Sequence, residues 1–343
     1  MTATISGSTP ASTFQSLGPR WSTSSSNQSS MKFRQLGASP LRLSEIGYGA
    51  SRIGDLGSVL DCEAVLEAVW DCGIRYFDTA PGYGLGLSER RLGDFLRTQE
   101  RSSYVLSTKV GKILTPVGGR PSNVMPFDIA YDYSYEGVMR SFEFSMARLG
   151  LSSIDILLAD DLEAPTLGRA DYRRHLAKFL ESGVKALDEL KANGDIAAFG
   201  IGVNDVGVCL DVMQRAKLDC IMLTGRYTLI DRTAGTRLLG LCQRTQTPLI
   251  VAGILNGGTL LEDNEERDVS DPLAPFAKTA QEIARESGVN LASAALQFPL
   301  ANSSVASALL GTTDAQRIKG LVAGIKEPIP DHVWSRFNSV ALN

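Results

Sequence analysis

The sequence predicts an α/β chain folded as a (β/α)8, or TIM, barrel. Short, continuously apolar stretches with strand character recur eight times between residues 43 and 310, and helical patterns lie between them. Continuous apolar runs are typical of parallel strands that are buried on both faces. Eight strand–helix units fit a closed barrel, whereas an open doubly wound sheet usually has fewer strands and a glycine fingerprint in its first turn. The first turn here, YGAS at residues 48–51, has no such fingerprint.

The chain begins with a segment of different composition. Residues 1–30 contain 10 Ser and 5 Thr, one Arg and no acidic residue, and we expect them to form a disordered tail. An organelle transit peptide is the alternative, but it usually carries several arginines. Residues 31–343 are predicted to form one barrel-shaped catalytic domain, which opens with an N-terminal β-hairpin around Gly37 and Ala38.

The strands and helices follow from the local pattern. Apolar residues recur at helical spacing before Gly150 and before Gly194, so we expect helices that end at these glycines. Another helix is expected over Leu60–Cys72, and Ser88 is predicted to cap a further one. Long inserts at 113–133 and 261–275 are expected on the face that carries the C-terminal strand ends. The predicted strands are Leu43–Gly49, Ile74–Phe77, Tyr104–Thr108, Ile154–Leu158, Ala197–Gly202, Cys220–Leu223, Leu249–Ala252 and Val305–Leu310.

Composition excludes several classes of function. A net charge of −4 lacks the basic footprint of a nucleic-acid binder, and no apolar run is long enough to span a membrane. The five cysteines are odd in number and form no C-x-x-C pair, which argues against a disulfide framework and against a metal site. We therefore expect a cytoplasmic protein whose partner is a small molecule. The oligomeric state stays open.

Three polar side chains are predicted to meet at neighbouring strand ends. Asp78 and Tyr83 follow the second strand, and Lys109 ends the third. A lysine beside a tyrosine lowers the pKa of the phenol, and an aspartate holds the ammonium in place. This set could transfer a proton near neutral pH. The alternative is a structural Asp–Lys salt bridge beside an unrelated tyrosine.

The same residues carry a resemblance to a known family. The strings FDTAPGYG and LSTKVG, followed by LGLSSIDILL, GDIAAFGIGVND and GRYTLIDR, resemble the aldo-keto reductase superfamily over about residues 31–325. The last string is similar to the branch that holds L-fucose and D-threo-aldose dehydrogenases, pyridoxal 4-dehydrogenase and L-galactose dehydrogenase. The resemblance implies that Asp78, Tyr83 and Lys109 are members of the catalytic tetrad, with Tyr83 as general acid/base.

The resemblance also implies NAD or NADP as cofactor. Asn204 would bind the nicotinamide carboxamide, and Tyr227 would stack on the ring. The remaining positions would approach the pyrophosphate and the adenosine ribose, although they could be ordinary turn residues: Gly253, Asn256, Gly257, Gly311, Thr312, Thr313 and Arg317. NADP-preferring relatives usually have a lysine after the eighth strand. Because this chain has none there, we favour NAD.

The fourth tetrad position departs from the family. A histidine is expected after the fourth strand, but the string is LLADD, which puts Asp160 in that place, or Ala159 if the match is shifted by one residue. An ionised carboxylate cannot donate a hydrogen bond to a substrate oxygen. Three hypotheses follow: oxidation of a small aldose-like hydroxyl or reduction of the matching carbonyl, reduction of a conjugated C=C bond by a protonated Asp160, or nicotinamide binding with little catalysis.

Overall fold

A computed structural model describes residues 31–119, 125–260 and 271–342. The predicted tail at 1–30 and most of the predicted insert at 261–275 lie outside the described residues. The described strands are β1 (Phe33–Gln35), β2 (Arg42–Ser44), β3 (Ile46–Gly49), β4 (Tyr76–Asp78), β5 (Val105–Val110), β6 (Lys112–Pro116), β7 (Phe127–Tyr131), β8 (Ile156–Asp160), β9 (Ala198–Val203), β10 (Cys220–Thr224), β11 (Leu249–Ala252) and β12 (Val305–Leu310).

Eight of these strands close into the parallel barrel that the sequence predicts. The hydrogen-bonded order is β3-β4-β5-β8-β9-β10-β11-β12, and β12 pairs with β3 to complete the circle. Side chains alternate between the two faces of each strand, so that Tyr76, Ile156 and Leu158 fill the interior while Phe77 and Leu157 pack under the helices. The (β/α)8 fold is therefore confirmed.

The helices cover the outside of the barrel. The predicted ends at Gly150 and Gly194 are confirmed, and both glycines adopt the left-handed conformation. Each described helix is too short or too polar to cross a membrane. The helices are α1 (Val59–Asp71), α2 (Leu87–Leu96), α3 (Tyr135–Leu149), α4 (Ala164–Leu167), α5 (Arg169–Lys178), α6 (Val184–Asn193), α7 (Val206–Met213), α8 (Gly235–Thr245), α9 (Ala274–Ser287), α10 (Leu291–Leu300), α11 (Ala315–Gly324) and α12 (Asp331–Asn338).

The predicted N-terminal hairpin is also confirmed, and it seals the bottom of the barrel. Strands β1 and β2 pair antiparallel, and Leu36 and Leu43 join the apolar cluster of the barrel interior. The first predicted strand was too long, because Leu43 belongs to the hairpin and not to β3. Ser44 breaks the run: its hydroxyl donates to the Ile46 carbonyl (2.6 Å) and accepts from the Tyr76 amide (3.1 Å).

One local expectation needs correction, and the insert after the third barrel strand lies on the predicted face. Helix α2 begins at Leu87 after Gly86, so Ser88 is not its cap; the Ser88 hydroxyl donates instead to the Ala50 carbonyl at 2.7 Å. The insert after the third barrel strand folds as an antiparallel hairpin, β6 and β7, which rises from the C-terminal end of β5. This hairpin supplies one wall of the site described next.

Candidate active site at the C-terminal ends of the strands

A buried ion pair lies at the centre of the site. Asp78 ends β4 and Lys109 is the penultimate residue of β5, and each is 1% exposed. The Lys109 ammonium donates to Asp78 Oδ1 at 2.5 Å and to the Thr79 carbonyl at 3.0 Å. The Ser107 hydroxyl donates to the same Asp78 oxygen at 2.6 Å. Burial raises the pKa of Asp78, and the Lys109 charge opposes that rise.

Tyr83 stands beside this pair, in the turn that follows β4. The Lys109 Nζ lies 5.6 Å from the centre of the phenol ring. The pKa of Tyr83 is raised well above its usual value, first by burial and then by the charges of Asp78, Asp160 and Asp161. The prediction that the pKa of this phenol is lowered is therefore wrong here, because burial and the three carboxylate charges raise it. The phenol rests in its protonated form.

Asp160 lies where the fourth tetrad member was expected, at the end of β8, and it is 5% exposed. A lysine that the sequence reasoning did not select holds it: Lys112 Nζ lies 2.8 Å from Asp160 Oδ2 and 2.5 Å from Asp161 Oδ2. The pKa of Asp160 is raised, first by burial and also by the neighbouring Asp161, although the charges of Lys112 and Lys109 oppose the rise. A carboxylate at hydrogen-bonding distance from an ammonium is favoured in its ionised form.

Neither histidine of the chain lies at the fourth tetrad position, which Asp160 occupies. His175 lies in α5, where its ring centre is 5.3 Å from that of Tyr133 and its Nε2 lies 3.3 Å from an Arg174 nitrogen. His332 lies in α12.

Asn204 follows β9, and its side chain and backbone are both held by Glu163, an acidic residue that was not predicted from the sequence. Its amide nitrogen Nδ2 donates to Glu163 Oε1 and its backbone N–H donates to Glu163 Oε2, both at 2.7 Å. The Asn204 carbonyl accepts from Arg226 Nε at 2.9 Å, and Arg226 pairs with the buried Asp231 at 3.1 Å. These contacts fix the Asn204 side chain at the same end of the barrel as Asp160.

A cavity of about 580 Å³ opens next to the ion pair. It collects most of the predicted cofactor-binding positions along with Asp78 and Tyr83. Arg52, which follows β3, lines it as well and was not predicted. The predicted residues in its wall are Asp78, Tyr83, Gly253, Gly257, Gly311, Thr312, Thr313 and Arg317.

The wall of this cavity fits a dinucleotide. Gly257 has open space where a Cβ would stand, and nothing comes closer than 3.9 Å to that point on Gly311, so the backbone is accessible to a ligand. Asn256 does not line this cavity, although its neighbours Leu255 and Gly257 do, so its contact with the cofactor stays a prediction; its Oδ1 is buried and has no hydrogen-bond partner among the described residues. Arg52 and Arg317 supply positive charge for phosphate groups.

Tyr227 lies apart from the residues that line the cavity. It is 8% exposed, its ring centre is 5.3 Å from that of Phe298, and its hydroxyl accepts from Asn302 Nδ2 at 3.2 Å. Its role as the aromatic ring that stacks on a nicotinamide stays a prediction, and the burial of the ring weighs against it.

A closed barrel with an acid, a phenol and two ammonium groups at the C-terminal strand ends, beside a dinucleotide-sized cleft, defines the class of barrel oxidoreductases. The aldo/keto reductase family model matches residues 45–342. The chain is 37% identical to pyridoxal 4-dehydrogenase of Microbacterium luteolum, over 90% of this chain and 97% of that protein. It is 35% identical to D-threo-aldose 1-dehydrogenase of a Pseudomonas species, over 89% and 96% of the two chains.

A solved structure supports the fold. The holo form of an aldo-keto reductase from Bacillus halodurans superposes with a TM-score of 0.75 at 24% identity and covers 91% of this chain and 96% of its own. The chain belongs to the aldo/keto reductase family, and the predicted resemblance is confirmed. Family membership makes it an NAD(P)-dependent oxidoreductase.

Proposed function

We propose that this protein oxidises the hydroxyl of a small cyclic hemiacetal to a lactone, and reduces the matching carbonyl in the reverse direction. The observation that carries the proposal is the buried Asp78–Lys109 pair beside Tyr83 at the edge of the cavity. Pyridoxal and D-threo-aldoses, which are named in two relatives, share one chemical feature. Both close into rings through a hemiacetal that carries an oxidisable hydroxyl.

Each catalytic residue has a separate task in this proposal. A nicotinamide bound in the cavity supplies the hydride acceptor. Tyr83 exchanges the proton of the reacting oxygen, while Lys109 and Asp78 orient the phenol and keep a charge of each sign buried next to it. The raised pKa keeps the Tyr83 phenol protonated near neutral pH. The protonated phenol donates a proton in reduction, whereas the phenolate accepts one in oxidation. The oxidation rate should therefore rise with pH, and the reduction rate should fall.

The proposed cofactor is NAD. Residues 311–313, after the last barrel strand, are Gly-Thr-Thr and supply no lysine. Arg52 and Arg317 are the cations that a 2′-phosphate would meet at this cavity. A comparison of kcat/KM with NAD and with NADP tests the choice, and a preference for NADP of tenfold or more would overturn it.

Conjugated double-bond reduction is not favoured. That reaction requires a protonated Asp160 as donor, whereas Lys112 lies 2.8 Å from the Asp160 carboxylate and favours its ionised form.

The test is an absorbance assay at 340 nm with L-fucose, pyridoxal and an enone as separate substrates. We expect reduction of NAD with L-fucose or pyridoxal, no oxidation of NADH with the enone, and no turnover of any of the three with Tyr83→Phe. Turnover of the enone alone, or of no substrate by protein that binds NADH, would refute the proposed reaction.

A further inference from the structure

Lys112 is a charged group of the site that neither the sequence motifs nor the family tetrad explains. It is only 8% exposed, and lysine is seldom buried without a specific partner. Its ammonium has three N–H donors, and two are used by Asp160 Oδ2 and Asp161 Oδ2. Among the described residues, the third donor has no assigned acceptor.

The backbone holds Lys112 in a fixed position after β5. Gly111 precedes it with φ of +97°, and a Cβ on Gly111 would stand 2.2 Å from a ring carbon of Tyr133. The Tyr133 hydroxyl in turn donates to the Asp160 carbonyl at 2.6 Å. One contact chain therefore ties the start of the β6–β7 hairpin to the end of β8, where the family places its histidine.

Lys112 also lies beside the reacting end of the site. A Cβ on Gly82, the residue before Tyr83, would stand 3.7 Å from Lys112 Cδ. The carboxylates that hold Lys112 lie close enough to Tyr83 to raise the pKa of its phenol. The Lys112 side chain thus passes beside the phenol loop, and its ammonium lies at the end of β8.

We propose that Lys112 donates the hydrogen bond to the reacting oxygen of the substrate, and that Asp160 and Asp161 are the positioning residues that aim it. This inference rests on the proposed function and assigns a donor that Asp160, as an ionised carboxylate, cannot provide. A cation next to the reacting oxygen stabilises the negative charge that develops on it as its proton moves to or from Tyr83.

The two carboxylates give Lys112 a second property. They raise the pKa of its ammonium, so the amine is not free to attack an aldehyde. A lysine in this position would otherwise condense with open-chain aldoses or pyridoxal to form an imine. The same ion pairs therefore keep Lys112 a hydrogen-bond donor and prevent it from acting as a nucleophile.

The experiment compares Lys112→Met and Lys112→Arg with Lys191→Met as the matched control. Lys191 also donates to a carboxylate: its ammonium lies 2.6 and 2.7 Å from the two oxygens of Asp219. This ion pair lies at the opposite end of the barrel. We measure kcat and KM with L-fucose and pyridoxal, the Kd for NADH by fluorescence, and the Kd for L-fucose in the non-reacting mixture with NADH by saturation-transfer NMR.

We expect Lys112→Met to lower kcat/KM by about 10- to 100-fold, as loss of one charged donor does, and to leave the NADH Kd within about twofold. Lys112→Arg should recover at least part of the loss, and Lys191→Met should match the wild type. If Lys112→Met unfolds, the double variant Lys112→Met/Asp161→Asn removes one unpaired carboxylate and is measured in its place.

The outcomes separate this inference from the proposed function. Wild-type turnover with a Lys112→Met variant that keeps kcat/KM within threefold would overturn the role of Lys112 alone. Absence of wild-type turnover would refute the proposed reaction. The Kd for L-fucose, measured by NMR, would then test whether Lys112 contacts the substrate. Equal L-fucose affinity in wild type and Lys112→Met, or no binding to the wild type, would then overturn the inference.

Discussion

Replacing Lys109 with methionine should expose the cost of the buried charge at the centre of the site. Asp78 is 1% exposed, and without Lys109 the Ser107 hydroxyl is the side-chain donor that its carboxylate keeps among the described residues. Removing one partner of a buried ion pair typically costs about 3–5 kcal/mol. With about 2.1 cal/mol/K of unfolding entropy per residue, a chain of roughly 300 ordered residues should lose about 5–8 °C in Tm.

The effect should depend on pH with a definite sign. In Lys109→Met, Asp78 keeps the burial that raises its pKa and loses the charge that opposes it. A carboxyl whose pKa is higher in the folded state destabilises the fold as pH rises from its ordinary pKa toward the raised one. We therefore expect the loss in Tm to be larger at pH 7.5 than at pH 5.

Lys191→Met is the control, because its side chain is 37% exposed and exposed ion pairs contribute at most about 1 kcal/mol. Thermal unfolding of both variants is followed by tryptophan fluorescence at the two pH values. Equal losses in Lys109→Met and Lys191→Met, or a loss in Lys109→Met that grows as pH falls, would refute the reasoning.

Three further predictions concern the neighbouring residues. Tyr83→Phe should lower kcat by roughly 10²–10⁴-fold while the NADH Kd stays within about twofold; retention of a tenth of the wild-type rate in a stopped-flow assay would exclude Tyr83 as the acid/base. Gly111→Ala should destabilise the protein by about 2–5 kcal/mol, since a Cβ would stand 2.2 Å from the Tyr133 ring at a positive φ; an unchanged Tm would contradict this. Asp160→His should raise kcat/KM for propanal and lower it for L-fucose, because it restores the family donor and frees Lys112 from one carboxylate; unchanged values for both would place Asp160 outside the chemistry.

The barrel strands were predictable because their burial is a local property of the sequence. Runs such as 249–252 and 305–310 are apolar on both faces, and the structure reproduces their bounds. The boundary at residue 43 was not predictable in this way. Leu43 and Ile46 are equally apolar, and the boundary between them depends on the pairing of Leu43 with Arg34 and on the hydrogen bonds of Ser44 to Ile46 and Tyr76.

The site was predictable in part. Asp78, Lys109 and Asp160 follow strands, so strand order alone places them at one end of the barrel. Lys112 also follows a strand end, three residues after Lys109, and a search for every charge at that position would have found it. The raised pKa of Tyr83 could not be predicted, because it depends first on burial in the folded barrel and then on the charges of Asp78, Asp160 and Asp161 together.

The hairpin that seals the bottom of the barrel has a consequence for the order in which the chain folds. Arg34, in β1, donates to the carbonyls of Leu300 and Val305 at 2.8 and 3.1 Å, across 266 and 271 residues of chain. On a ribosome, these partners emerge only after nearly the whole barrel has been synthesised. Strand β1 can therefore form these hydrogen bonds only after the last barrel strand has been synthesised. Because contacts of such high sequence separation form slowly, closure of the barrel is a late step of folding.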